Sequence, residues 1–164
     1  MSFDYISGNK VDHSEAQQAI VNICDKVEWG FTDKRLSFRR YCERPDLSLF
    51  VKDSEGGFIG YAVMRPWQGK TGKPDRYYLS FIALDPKFQG IGVGKELLNK
   101  IIDVAKEHGA VKIKTEHDDD VKLNQFYERA TPYVFKSKCI GFNGRGKAEN
   151  RLTYDLRETK ESLS

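Results

Sequence analysis

Residues 84–95 have the sequence LDPKFQGIGVGK, and this stretch decides the fold. It follows an uncharged run of aromatic and aliphatic residues at 77–84, which predicts a central strand buried on both faces. Apolar residues at helical spacing come directly after it, namely Leu97, Leu98, Ile101, Ile102 and Ala105. Gly90, Gly92 and Gly94 are therefore expected where a strand passes into a helix.

A glycine-rich turn at the start of a helix suits an anionic ligand. Glycine adopts positive φ angles and lets a ligand approach the backbone closely. The first turn of a helix presents unpaired N–H groups and the positive end of the dipole, so a pyrophosphate fits there. A dinucleotide-binding turn needs the different spacing G-x-G-x-x-G, and a P-loop needs a following G-K-[ST]. A glycine turn without any ligand is the remaining alternative.

The flanking sequence predicts the order β, α, α, three strands, α, β, α and two strands, a mixed α/β sheet with flanking helices. Asp12 or Ser14 can cap the first helix, and Thr32 can cap a short second one. The sequence DSEGG at 53–57 joins two strands as a hairpin. The expected strands lie at 3–7, 47–52, 58–64, 77–84, 111–115, 133–140 and 151–156.

The stretch at 84–95 resembles the acyl-CoA signature of the GNAT superfamily of N-acetyltransferases. Gln89, Gly92 and Gly94 match the fixed positions of its pattern Q/R-x-x-G-x-G/A. The order of elements extends the resemblance over roughly residues 47–130. It implies an α/β (α+β) fold, with a mixed, mostly antiparallel sheet of six to seven strands flanked by about four helices. We expect one such domain at 1–158 and a polar tail at 159–164.

The resemblance also implies acetyl-CoA as co-substrate, with no metal. The pantetheine would pair like an extra strand with Ile82, Ala83 and Leu84. The pyrophosphate would lie on the turn and the first helical residues, which are Gln89, Gly90, Ile91, Gly92, Val93, Gly94 and Lys95. Asn124 precedes Tyr127 by one helical turn, so it shares a face with Tyr127 and could bond to pantetheine amides.

Acetyl transfer to an amine needs a base, because a lysine amine with a pKa of about 10.4 is protonated at neutral pH. Glu116, directly after the strand expected at 111–115, is the first candidate. His117 is the alternative, since imidazole titrates near pH 6.5. Both residues have a plainer interpretation as solvated loop residues. The acids at 116–120 could also suggest a metal site, although consecutive acids before a helix are ordinary caps.

Tyr127 matches the tyrosine of the family's second helix motif, N-x-x-A-x-x-x-Y. That match implies a hydrogen bond to the departing thiolate, whereas a plain core tyrosine is the structural alternative. The chain departs from the motif at Asp120 and Leu123, and Thr131-Pro132 replaces the usual Gly-Phe. These departures leave the acceptor side of the site open.

The composition limits the partners. The 164 residues include 27 Lys and Arg against 24 Asp and Glu, a net charge of +3 that does not indicate a nucleic-acid binder. Basic residues of the first two helices, at 34–44, and of the final strands, at 136–151, would still suit an acidic partner such as RNA, whereas charged solvated faces are the plainer interpretation. No apolar run approaches the roughly 18 residues of a membrane span, and residues 1–10 do not resemble a leader. The chain has three cysteines, Cys24, Cys42 and Cys139. We expect them to be reduced, as in the cytoplasm, and mostly buried in the protein.

These observations favour a cytoplasmic N-acetyltransferase that moves acetyl from acetyl-CoA to a primary amine by direct attack in a ternary complex. Two alternatives remain. One is a toxin-like or regulatory acetyltransferase acting on aminoacyl-tRNA or on a protein amine. The other is a non-catalytic CoA-binding module. Many members of the family dimerise, so the resemblance also admits a homodimer.

Overall fold

A computed structural model describes residues 2–27, 33–67, 75–144 and 146–163. Within these residues the chain forms seven strands, which make one mostly antiparallel sheet, and four α-helices. This architecture confirms the expected fold class. The strands are β1 (Asp4–Ser7), β2 (Ser48–Lys52), β3 (Phe58–Pro66), β4 (Arg76–Leu84), β5 (Lys112–Asp118), β6 (Tyr133–Phe142) and β7 (Ala148–Thr159). The helices are α1 (His13–Lys26), α2 (Lys34–Glu43), α3 (Val93–Glu107) and α4 (Val121–Arg129).

The strand order in the sheet is β1-β2-β3-β4-β5-β7-β6, with β4 in the middle as the sequence predicted. The hairpin predicted between β2 and β3 is present and antiparallel. The order of elements along the chain is also the predicted one. The bounds differ mainly at β5 and β7, which pair with each other over seven positions and are therefore longer than their apolar residues indicated. None of the described helices is long and apolar enough to cross a membrane.

The chain divides into two compact units, Met1–Arg65 with Leu79–Ile101, and Pro66–Tyr78 with Ile102–Ser164. The core of the first unit is formed by buried residues of α1, α2, β2 and β3, among them Ile20, Ile23, Tyr41, Phe50 and Tyr61. Asp12 caps α1 as predicted, because its Oδ1 accepts a hydrogen bond of 2.8 Å from the backbone N–H of Ser14. Asp33 caps α2, whereas the predicted cap Thr32 lies outside the described residues.

Strand β4 is less covered than the sequence indicated. Ala83 and Leu84 are buried, but Ser80, Phe81 and Ile82 are only partly buried. The backbone of β3 passes close to the end of β4 at Gly60. A Cβ there would lie 3.0 Å from Leu84 Cδ1 and 3.1 Å from the carbonyl oxygen of Ala83.

Helix α3 buries its predicted apolar stripe completely. The predicted burial of the cysteines is wrong for two of the three. Cys24 is buried, but Cys42 and Cys139 are exposed, on α2 and on the edge strand β6. All three are free thiols.

In the second unit, α4 packs against β5 and β7. The ring of Tyr127 stacks on His117, and the hydroxyl of Tyr154 donates a hydrogen bond to the carbonyl oxygen of Tyr127. Asp120 caps α4 as predicted, with its Oδ1 accepting from the backbone N–H groups of Lys122 and Leu123. These contacts fix which side chains of α4 face β5.

Candidate active site

The turn between β4 and α3 has the open, glycine-based geometry that the sequence predicted. Gly90 and Gly92 have φ angles of 81° and 93°, in the region that favours glycine. A Cβ added at either position would meet no atom within 4 Å, so the space beside the backbone is open. Gly94 differs, since it lies inside α3 with no positive φ.

Side-chain hydrogen bonds hold this turn on the first unit. Asp85 Oδ1 accepts a hydrogen bond of 3.0 Å from the backbone N–H of Lys87, and its Oδ2 lies 3.2 Å from Lys26 Nζ. Gln89 Nε2 donates a 3.2 Å hydrogen bond to the carbonyl oxygen of Leu84. The side chain of Gln89 is therefore directed back to β4, where it supports the turn.

The start of α3 meets the requirements of an anion site. The N–H of Glu96 bonds to the carbonyl oxygen of Gly92 at 3.0 Å, so the N–H groups of Val93, Gly94 and Lys95 precede the first helical hydrogen bond. Glu96 is the one acid in the first turn, and it accepts a hydrogen bond from Tyr5. Residues 89–92 are exposed. The backbone of this turn thus has the exposed N–H groups that the predicted diphosphate site requires.

Tyr127 lies in the second unit and is 5% exposed. Burial raises the pKa of its hydroxyl to about 12, against a smaller opposing effect of the hydrogen bond with Thr115. The hydroxyl therefore stays protonated at neutral pH and can donate a hydrogen bond. The sequence did not identify Thr115 as its partner.

His117 stacks on Tyr127 with a centroid distance of 4.6 Å and an interplanar angle of 18°. Its Nδ1 lies 2.9 Å from the carbonyl oxygen of Asp118. A carbonyl can only accept, so this contact favours the tautomer with the proton on Nδ1. In that neutral tautomer Nε2 carries a lone pair and can take up a proton.

Glu116 does not end a strand, contrary to the prediction. Strand β5 continues to Asp118, and Glu116 lies opposite Arg151 of β7. Its Oε1 accepts a hydrogen bond of 3.0 Å from Arg151 Nε and forms an ion pair with Arg151 Nη2 at 2.9 Å. Burial and the neighbouring Glu116 raise the pKa of Glu149. Any proton transfer to Glu116 would thus compete with an ion pair.

Asn124 is hydrogen-bonded within the second unit. Its Nδ2 donates to Asp119 Oδ1 at 2.8 Å, and Asn150 Nδ2 donates to Asn124 Oδ1 at 3.1 Å. Its amide thus already has protein partners. In the described part of the chain, no group of three or more His, Cys, Asp or Glu side chains could hold a metal ion, the acids at 116–120 included.

The sequence missed two partners in this region, Thr115 and Arg151. Thr115 and His117 are two residues apart on β5 and therefore lie on the same face of the strand. This spacing was visible in the sequence. Arg151 required the register of β5 against β7, which no local pattern reveals.

A seven-stranded sheet with a glycine-rich turn after its central strand is the arrangement that the resemblance to acyl-CoA-dependent acyltransferases implied. A model of the acetyltransferase (GNAT) family matches residues 15–131. The chain belongs to this family, which confirms the resemblance drawn from residues 84–95. An acyltransferase with acetyl-CoA as its co-substrate is what this membership implies.

Two curated relatives are named for N-terminal acetylation. The chain is 32% identical over 87 residues to N-alpha-acetyltransferase RimI of Mycobacterium tuberculosis, and the match spans 53% of each protein. It is 27% identical over 119 residues to N-alpha-acetyltransferase 30 of Schizosaccharomyces pombe, covering 70% of this chain and 77% of that protein. The chain thus spans about half of the mycobacterial relative.

Solved structures share the fold. A crystal structure of the NatC complex bound to Gag peptide and CoA matches with a TM-score of 0.79 and 16% identity, over 95% of this chain and 99% of that one. The structure of yncA from Salmonella typhimurium with acetyl-CoA matches with a TM-score of 0.72 and 18% identity, over 95% of both chains.

Proposed function

We propose that this protein acetylates the α-amino group at the N-terminus of a protein or peptide, by direct attack of the amine on the acetyl thioester. The exposed turn at Gly90 and Gly92 carries the proposal, because it supports binding of a CoA diphosphate. The names of the two curated relatives support the α-amine as acceptor.

The ionisable groups of the second unit also favour an α-amine over a lysine amine. An α-amine has a pKa of about 7.7–8.0, against about 10.4 for lysine, so much more of it is neutral at physiological pH. Glu116, the strongest base candidate from the sequence, is paired with Arg151. An acceptor that needs only modest assistance suits such a site.

Residues of β4 and of the turn that follows it bind the cofactor in this proposal. Acetyl-CoA provides the activated acetyl group when bound. The backbone of Gly90, Ile91, Gly92, Val93, Gly94 and Lys95 binds the diphosphate, with Gln89 supporting the turn. Ile82, Ala83 and Leu84 pair with the pantetheine, and a backbone N–H near Leu84 stabilises the developing oxyanion.

His117, Glu116 and Tyr127 are the proposed proton-transfer groups. His117 Nε2 accepts the amine proton, directly or through water, since its Nδ1 is engaged by a carbonyl oxygen. Glu116 is the second candidate for this role. The hydroxyl of Tyr127 donates a hydrogen bond to the departing thiolate. Asn124 is retained as a candidate partner of the pantetheine. The cytoplasmic location, the single domain and the homodimer also stay predictions.

Release of CoA thiol in the presence of acetyl-CoA and short peptides tests the proposed reaction. Peptides with a free N-terminus and no lysine should be acetylated. Matched peptides with a blocked N-terminus and one internal lysine should react at least roughly tenfold more slowly at pH 7, because their amine is almost fully protonated. Faster reaction of the lysine peptides would overturn the assignment. CoA binding without release on any peptide would favour a non-catalytic module.

The two base candidates are separated by substitution. His117→Gln should lower kcat by roughly a hundredfold, as expected for a lost general base, while Glu116→Gln should have a smaller effect. The reverse order would assign the proton transfer to Glu116. Circular dichroism checks that both variants fold.

A further inference from the structure

Lys114 is a buried cation without a carboxylate partner. It lies on β5, is 8% exposed, and forms no hydrogen bond or ion pair found among the described residues. Lysines are almost never buried unless they are paired, since an uncompensated charge away from water costs several kcal/mol. Within the part of the chain that the structure describes, no anion therefore pairs with Lys114.

An aromatic ring and two further cations lie around Lys114. Its Nζ lies 3.0 Å from the ring centroid of Trp67, so the indole covers the ammonium. Burial, and after it the neighbouring Arg151, lower the pKa of Lys114; Glu116 opposes them, and Arg76 lowers the pKa by a smaller amount. A lowered pKa means that the charged form of the lysine is disfavoured, and a bound anion would stabilise that charged form.

Glu116 is the carboxylate that acts on Lys114, but it is already paired with Arg151. Glu116 lies two residues along β5, but its Oε1 accepts a hydrogen bond from Arg151 Nε and forms an ion pair with Arg151 Nη2. In the register of the sheet, Lys114 lies opposite Thr153, and Thr153 lies opposite Lys136. Among the described residues, the charged groups that act on Lys114 are Arg151, Arg76 and Glu116, and Glu116 is itself paired with Arg151.

We propose that Lys114, covered by Trp67 and flanked by Arg151 and Arg76, binds a carboxylate of the acceptor, so that the enzyme prefers N-termini with an aspartate or glutamate close to the acetylated residue. This inference rests on the proposed N-terminal acetylation. It adds a substrate class, because it specifies the charge of a side chain that follows the α-amine.

The test compares peptides that differ in one charge. Four pairs of lysine-free peptides carry glutamate or glutamine at position two, three, four or five. Their dissociation constants for the CoA-saturated protein are measured by calorimetry. The glutamate peptide should bind roughly tenfold more tightly at one of the positions, as expected for a charge-assisted hydrogen bond.

Substitution then assigns the preference to Lys114. Lys114→Met retains an apolar stem in the buried site and should remove the difference between the paired peptides. Lys136→Met removes an exposed lysine on the neighbouring strand β6 and should retain that difference. Trp67→Phe should weaken the preference, since the smaller ring covers less of the ammonium.

Equal binding of glutamate and glutamine peptides at all four positions would overturn the inference, and this wild-type comparison needs no variant to fold. A preference that survives Lys114→Met would overturn it as well. Thiol release is recorded for the same peptides. Acetylation of both members of a pair at equal rates would leave the proposed function standing, whereas binding without any release would contradict that function and leave the charge preference to be judged from the dissociation constants.

Discussion

The turn before α3 presents its backbone, whereas the β5–α4 region presents its side chains. The turn is exposed backbone, with two glycines at positive φ and open space where side chains would be. The β5–α4 region consists of side chains in mutual contact, such as Tyr127 on His117 and Glu116 on Arg151. A backbone site depends on dihedral angles and a side-chain site depends on strand register, so the two should fail in different ways.

The sharpest test of the backbone site is Gly92→Asp. The new carboxylate would face the diphosphate, and CoA affinity should fall by about a hundredfold or more, measured by calorimetry. Gly109→Asp is the matched control, because Gly109 follows the other end of α3 with a φ of 90° and equally open space. Both variants should lose about 1–2 kcal/mol of stability through backbone strain. Equal CoA affinities of the two variants would contradict a diphosphate at Gly92.

The side-chain site is tested by Tyr127→Phe. Removing the hydroxyl should lower kcat by roughly ten- to a hundredfold, as for the loss of one donor to a developing anion, with an unchanged dissociation constant for CoA. Tyr41→Phe makes the same chemical change at another buried tyrosine, whose hydroxyl donates to the carbonyl oxygens of Gly8 and Val11. That control should lose about 1 kcal/mol of stability and keep its kcat. If Tyr127→Phe retains kcat, Tyr127 has only a structural role.

The smallest effect concerns pH. Tyr127, with its pKa raised to about 12, stays protonated throughout the range from pH 6 to 10. The value of kcat/KM for an N-terminal peptide should therefore rise through the pKa of the α-amine, near 8, and then stay level up to pH 10. A decline between pH 9 and 10 that is absent from Tyr127→Phe would show a donor with an ordinary phenol pKa. Because the raised pKa favours the protonated form, the stability from this group should be complete below pH 10 and be lost as the pH rises towards 12.

The same difference between a backbone site and a side-chain site explains what the sequence could predict. The turn was recognisable because its chemistry lies in glycine spacing and in the strand and helix around it, all of which are local. The stripe of α3 was predicted for the same reason, and its residues are buried throughout. Asp12 and Asp120 cap their helices as expected, because a cap acts within two or three residues of its own position.

The rest depended on contacts between distant residues. Glu116 was expected at a strand end because the apolar alternation stops at Thr115, yet pairing with β7 extends β5 over three further polar residues. The partnership of Glu116 with Arg151 follows from that register. The exposure of Cys42 and Cys139 likewise depends on which faces of α2 and β6 are covered, and cysteine content alone does not determine this.

Gly60 gives a final consequence of the geometry. An added methyl group would press on Leu84 and on the carbonyl oxygen of Ala83, so β4 would have to yield by a few tenths of an ångström. A side chain at this position therefore acts on β4 through packing, and an alanine is tolerated only as far as Leu84 and the carbonyl of Ala83 can move. In a saturation library sorted for coenzyme capture, Gly60 would cluster with the glycines of the turn.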